Sequence, residues 1–225
     1  MITLLSKNTY TKNYGLISWG FKAYIVFMAL FFTLDTAKAD TYKILAFGDS
    51  LTAGYGLDQG KSYPDKLQEK LLVLGYDVKV INAGVSGETT TGGLNRLDWT
   101  MQHNPDLVVL ALGANDALRF IDPDLTYRNL DSMIVKIKDR GAKVLLLGMV
   151  APRNGGAEFT QKFDAIYPRL AKVHDIPLYP FILEGVATKP DLNIHDGVHP
   201  NEKGTEIIAN NVLPYLVDIL DSKSE

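Results

Sequence analysis

Tyr42-Lys-Ile-Leu-Ala-Phe47-Gly48-Asp49-Ser50-Leu51 is an apolar, strand-forming run that stops on a small polar corner. The same grammar recurs twice downstream. Val78-Lys-Val-Ile-Asn82 leads into Ala-Gly-Val-Ser86-Gly87-Glu88-Thr89, and Leu107-Val-Val-Leu-Ala-Leu112 leads into Gly113-Ala-Asn115-Asp116. Lys143-Val-Leu-Leu-Leu-Gly-Met149 is a fourth strand, and Ile176-Pro-Leu-Tyr179 a short fifth whose proline sends it to an edge. Helical patterns separate these runs. Ser62 caps one through Leu74, Asp122-Pro123 opens another that ends at Arg140, and two more cover 158–174 and 201–220. Strand and helix in alternation predict an α/β fold, a three-layer α/β/α sandwich around a five-stranded, mainly parallel sheet. In such sheets ligands lie beyond the carboxyl ends of the strands, where these polar corners fall.

Composition bounds the reading. The 225 residues suit one domain with a sizeable core, and the absence of cysteine excludes disulfides, thiolate metal sites and a cysteine nucleophile. Residues 1–22 carry Lys7, Lys12 and Lys22 without an acid, Ala23–Leu34 is apolar and uncharged, and Ala37-Lys38-Ala39 closes the stretch. That order is a secretory leader cleaved after Ala39, and the apolar run falls short of the ~20 residues of a transmembrane helix. Residues 40–225 are therefore expected to form one periplasmic or secreted domain with no membrane span after processing. The chain carries a formal charge of −3, and removing the basic leader leaves it more acidic still. Nucleic acid is a poor partner for such a surface. A monomer without a cofactor is the expectation.

The corners together hold the parts of an acyl-transfer site. Ser50 follows Gly48 at a strand-to-helix turn, where a hydroxyl can face the crevice, but it needs a base to take its proton. His195-Asp196-Gly197-Val198-His199-Pro200-Asn201 supplies one. His199 stands before a helix N-terminus, whose positive potential keeps an imidazole free to accept a proton. Asp196, three residues earlier, can bond one ring nitrogen and fix the tautomer. The backbone N–H groups of Ser50 and Gly87 and the Asn115 amide are the candidate oxyanion donors, each typically worth about 3–4 kcal/mol of barrier. Asp49 is expected to brace the corner and is a candidate for substrate binding. His103 and His174 read as surface residues, and His195 as solvated.

Gly48-Asp49-Ser50-Leu51, Gly87, Gly113-x-Asn115-Asp116 and Asp196-x-x-His199, in that order, resemble the SGNH (GDSL) hydrolases. Within that family the likeness is to the bacterial periplasmic thioesterase, lysophospholipase and arylesterase branch, and it covers nearly all of 40–225. The resemblance implies a flavodoxin-like fold, Ser50 as nucleophile, Asp196 as acid, His199 as base, and Ser50, Gly87 and Asn115 as oxyanion donors. Gly84 is passed over because the family's donor glycine matches that of Ser86-Gly87-Glu88-Thr89. The implied substrates are small acyl esters and thioesters, lysophospholipids among them. Where the branch carries a bulky residue before the proline that follows strand four, this chain has Ala151-Pro152; these two, with Leu118, are candidate walls of the acyl site. Chain-length preference is not carried over.

Two other classes remain open in the sequence. Asp49, Asn115, Asp196 and His199 could ligate a metal in a phosphoesterase, and a non-catalytic binding module could keep the same scaffold. Gly56-Leu-Asp-Gln-Gly60-Lys61-Ser62 is not a phosphate loop, because three residues rather than four part its glycines. Neither His-Glu-x-x-His nor Gly-x-Ser-x-Gly occurs, which argues against a zincin or an α/β-hydrolase elbow.

Overall fold

The structure, a computed structural model, describes residues 41–222. The expected leader lies outside the described residues. Five strands form one sheet: β1 (Tyr42–Gly48), β2 (Val78–Gly84), β3 (Leu107–Ala111), β4 (Lys143–Leu147) and β5 (Leu178–Tyr179). Their order is β2-β1-β3-β4-β5, and every pairing is parallel, so no antiparallel strand interrupts the sheet. β5 lies at the edge, as its proline predicts, but pairs over only two residues.

The helices are α1 (Ser50–Ala53), α2 (Tyr63–Val73), α3 (Thr90–Thr100), α4 (Ala114–Leu118), α5 (Pro123–Asp139), α6 (Ala157–Asp164), α7 (Ile166–His174) and α8 (Glu202–Asp221). Ser62 and Asp65 form a capping box on α2, and Asp122 caps α5 by accepting the N–H of Asp124. Where the sequence reads one helix over 158–174, the chain breaks at Ala165 between α6 and α7. Pro168 explains the break: it has no N–H to offer, and its ring would clash with the Asp164 carbonyl of an unbroken helix. α3 and the short α1 and α4 are elements the sequence reading did not name.

The strand order changes direction at β1. Right-handed crossovers therefore place α2 and α8 together on one face, and α3, α5 and α7 on the other. Leu45 and Phe47 of β1, all of β3 and Leu145–Leu147 of β4 are buried between the two layers. Burying each such Leu or Phe side chain contributes roughly 1.5–3 kcal/mol. The register sets Gly48 opposite both Gly84 and Ala111, so β1, β2 and β3 end at one level. The crevice of such a sheet opens between β1 and β3, where successive connections leave in opposite directions.

Candidate active site

Ser50 is the first residue of α1, and its N–H is therefore one of the helix's free donors. Asp49 caps this helix: one carboxylate oxygen accepts the Leu51 N–H at 3.0 Å. Its other oxygen is buried without a hydrogen-bond partner among the described residues. Burial pushes this carboxyl up to about 6, against the opposing pull of the Leu51 bond and of His199. Asp49 thus braces the corner from beneath, fully buried, and does not line the cleft beside Ser50.

His199 Nε2 lies 2.8 Å from Ser50 Oγ, and His199 Nδ1 lies 2.7 Å from Asp196 Oδ2. The other Asp196 oxygen accepts the backbone N–H groups of His199 and Val198 at 3.0 and 2.9 Å. Those two backbone bonds, more than the imidazole, hold the carboxyl down at about 2. An acid so fixed orients the ring from one side and leaves Nε2 facing the hydroxyl.

The loop that carries Asp196 and His199 is tied to itself. Asn193 pairs with Pro200 in an antiparallel bridge, the Ile194 N–H donates to the His199 carbonyl, and the Gly197 N–H donates to the Ile194 carbonyl. The buried Asn193 amide donates to the carbonyls of Val186 and Lys189. Asn201 caps α8 through the N–H groups of Lys203 and Gly204.

Across the crevice, Gly87 has φ +79°, a left-handed conformation that glycine adopts without a Cβ penalty. Its N–H meets no acceptor among the described residues. The Asn115 amide donates to the Glu88 carbonyl at 3.0 Å, which anchors the side chain on the Gly87 loop. Asp116 sits behind, fully buried, and accepts both the N–H and the hydroxyl of Thr90 at the start of α3.

A network the sequence reading missed secures this loop. The Arg96 guanidinium grips both carboxylate oxygens of Glu88 at 2.5–2.8 Å and donates to the carbonyls of Gly48 and Ala83. It also stacks 4.0 Å over the Phe47 ring. One side chain thereby joins the ends of β1 and β2 to the Gly87 loop. Arg96 is eight residues from Glu88, and no local sequence pattern announces the pair.

Beside Ser50 and His199 opens a cleft of about 180 Å³ with largely apolar walls, among them Leu51, Leu118, Met149, Phe181, Leu183 and Val198. Of the wall candidates, Leu118 and Pro152 line it. Ala151 does not: it is buried, and its N–H is held by Asp164 Oδ1 at 2.8 Å, while its neighbours Val150 and Pro152 face the cleft. His174 is likewise not a bare surface residue, because α7 packs on α5 and brings its Nε2 to 2.7 Å from Asp131. His195 is exposed. A larger hollow lies at the opposite end of the sheet between Lys138, Lys143 and Asp175, far from these groups.

The four-ligand metal reading fails on geometry. Asp49 is sealed beneath α1, Asp196 and His199 face each other, and among the described residues no three His, Asp or Glu side chains converge.

Residues 46–207 match the family model for GDSL-like lipases and acylhydrolases. The chain belongs to this family. It is 44% identical over 191 residues to an arylesterase of Vibrio mimicus, covering 84% of this chain and 96% of that protein. It is 38% identical over 193 residues to thioesterase 1/protease 1/lysophospholipase L1 of Escherichia coli K12, covering 85% of this chain and 90% of the relative. Among solved structures it resembles the psychrotrophic esterase EstA from Pseudoalteromonas, in a form inhibited by monoethylphosphonate. There the TM-score is 0.76 at 32% identity, covering 80% of this chain and 98% of the other. Within the matched stretch, Gly48-Asp49-Ser50-Leu51 lies on the β1–α1 corner and Asp196-Gly-Val-His199 on the loop before α8.

Proposed function

We propose that this GDSL-like acylhydrolase is a serine esterase and thioesterase that works through an acyl-Ser50 intermediate. The observation that carries the reading is the chain of contacts Asp196–His199–Ser50, at 2.7 and 2.8 Å, at the mouth of an apolar cleft. His199 Nε2 takes the Ser50 proton as Oγ attacks the acyl carbon, and Asp196 stabilises the imidazolium that forms. The N–H groups of Ser50 and Gly87 and the Asn115 amide receive the negative charge on the carbonyl oxygen. The imidazolium then protonates the leaving oxygen or sulfur. Water, activated by the same histidine, releases the acid.

The acyl chain lies in the cleft beside Leu118 and Phe181. Aryl esters, acyl thioesters and lysophospholipids are the substrate classes suggested by the names of the relatives. Residues 1–39 serve as an export leader removed after Ala39, on the strength of the basic, apolar and small-residue order; N-terminal sequencing of the protein recovered outside the cytoplasmic membrane checks this. No helix among the described residues is long and apolar enough to cross a membrane.

Ser50→Ala tests the mechanism. Hydrolysis of p-nitrophenyl esters is expected to vanish while the circular dichroism spectrum is unchanged. Undiminished turnover by the variant would refute the assignment.

A further inference from the structure

Tyr55 is half exposed, yet its ring sits 4.7 Å, centroid to centroid, from the His199 ring and inclined at 45° to it. Its position is built by the backbone. The N–H of Tyr55 returns to the carbonyl of Ser50 at 3.1 Å, so its main chain is tied to the nucleophile's own residue. Gly54 and Gly56 flank it at φ +78° and +79°, a double left-handed turn that other residues adopt only under strain. A Cβ on Gly56 would stand 2.7 Å from Ile194 Cδ1, which shows how closely this turn rests on the loop that carries the base.

Tyr55 is not part of the cleft beside Leu118 and Phe181. An ester bound at Ser50 has two arms, and if the acyl arm fills that cleft the other must leave elsewhere. Its direction is set by chemistry. When the C–O bond breaks, its electron pair goes to the departing oxygen, which takes the proton from His199 Nε2. The departing group therefore stands against the imidazole edge, and the exposed aromatic surface beside that imidazole is Tyr55.

On the esterase reading above, we infer that Tyr55 is the shelf for the leaving group, selecting flat, aromatic alcohols through ring-to-ring contact. The side chain determines specificity on the alcohol side of the ester, while the apolar cleft serves the acyl side.

The test compares two acetates in the full chain. Phenyl acetate has an aromatic leaving group, and hexafluoroisopropyl acetate has one of similar acidity without a ring. Tyr55→Ala is expected to lower kcat/KM for the phenyl ester by about three- to tenfold more than for the fluoroalkyl ester. Tyr55→Phe, which keeps the ring, should restore the wild-type ratio. Equal losses on both esters would reduce Tyr55 to a prop for the histidine and overturn the inference, as would no loss at all. A wild-type chain inert toward both esters would overturn the hydrolase reading itself, and the shelf with it, before any variant is made.

Discussion

Arg96→Ala removes one side chain and undoes several contacts at once. Arg96 and Glu88 are mostly buried, with 19% and 8% of their side chains exposed. Truncating the arginine leaves the Glu88 carboxylate without its counter-charge, and the carbonyls of Gly48 and Ala83 lose a donor. The stacking on Phe47 goes as well. Removing one member of a buried ion pair typically costs about 3–5 kcal/mol, chiefly because the remaining charge stays desolvated. Against a usual total of about 5–15 kcal/mol, that is a large share of the stability. Urea unfolding followed by far-ultraviolet circular dichroism measures it. The Arg96→Ala/Glu88→Ala double variant should lose clearly less than the sum of the two single losses, since neither charge is then stranded. A loss below about 1 kcal/mol for Arg96→Ala, or strict additivity in the double variant, would sink the argument. Activity provides an independent reading. The Glu88 carbonyl holds the Asn115 amide, so slippage of the loop should lower kcat by up to ~100-fold in protein that is still folded.

The two aspartates of the site should respond to pH in opposite senses. Asp196 is held at about 2, below its unfolded value near ~3.9, so its stabilisation is complete above that value and disappears as pH falls through about 2. Asp49 is pushed up to about 6, so the stability it contributes is complete below ~3.9 and disappears as pH rises through about 6. Urea midpoints from pH 2 to 8 should accordingly flatten in the acid range for Asp196→Asn and between pH 4 and 6 for Asp49→Asn; curves parallel to wild type would contradict both shifts. Phe181→Ala enlarges the acyl cleft, and the kcat/KM profile over p-nitrophenyl esters of graded length is expected to move toward longer chains. An unchanged profile would remove the cleft from acyl binding.

The strands were legible because each run is short and β-branched or leucine-rich, and the first three end on a polar corner. The long helices were legible through Ser62, Asp122-Pro123 and Asn201, whose side chains do cap them. α3 was not, for a physical reason. It opens Thr-Thr-Gly-Gly, a poor local helix former. Tertiary contacts stabilise it instead: Asp116 binds the Thr90 N–H, and Gly93 packs where a Cβ would stand 2.3 Å from Leu112 Cδ1. The meeting of Ser50, Asp196 and His199 could be anticipated because each closes a chemically recognisable motif. Arg96 and Tyr55 could not, since their partners are assigned by the crossing of β1, β2 and the loop before α8.

The knot formed by Asn193, Ile194 and Pro200 has a bearing on how such a molecule fails. Acid and base ride together on one self-supporting segment, so warming or drift in sequence can leave their mutual alignment intact. What remains vulnerable is the seam between that segment and the corner bearing the serine, where the Gly54–Gly56 turn rests on Ile194. On warming, esterase activity is accordingly expected to fall before the far-ultraviolet circular dichroism signal of the sheet and helices does.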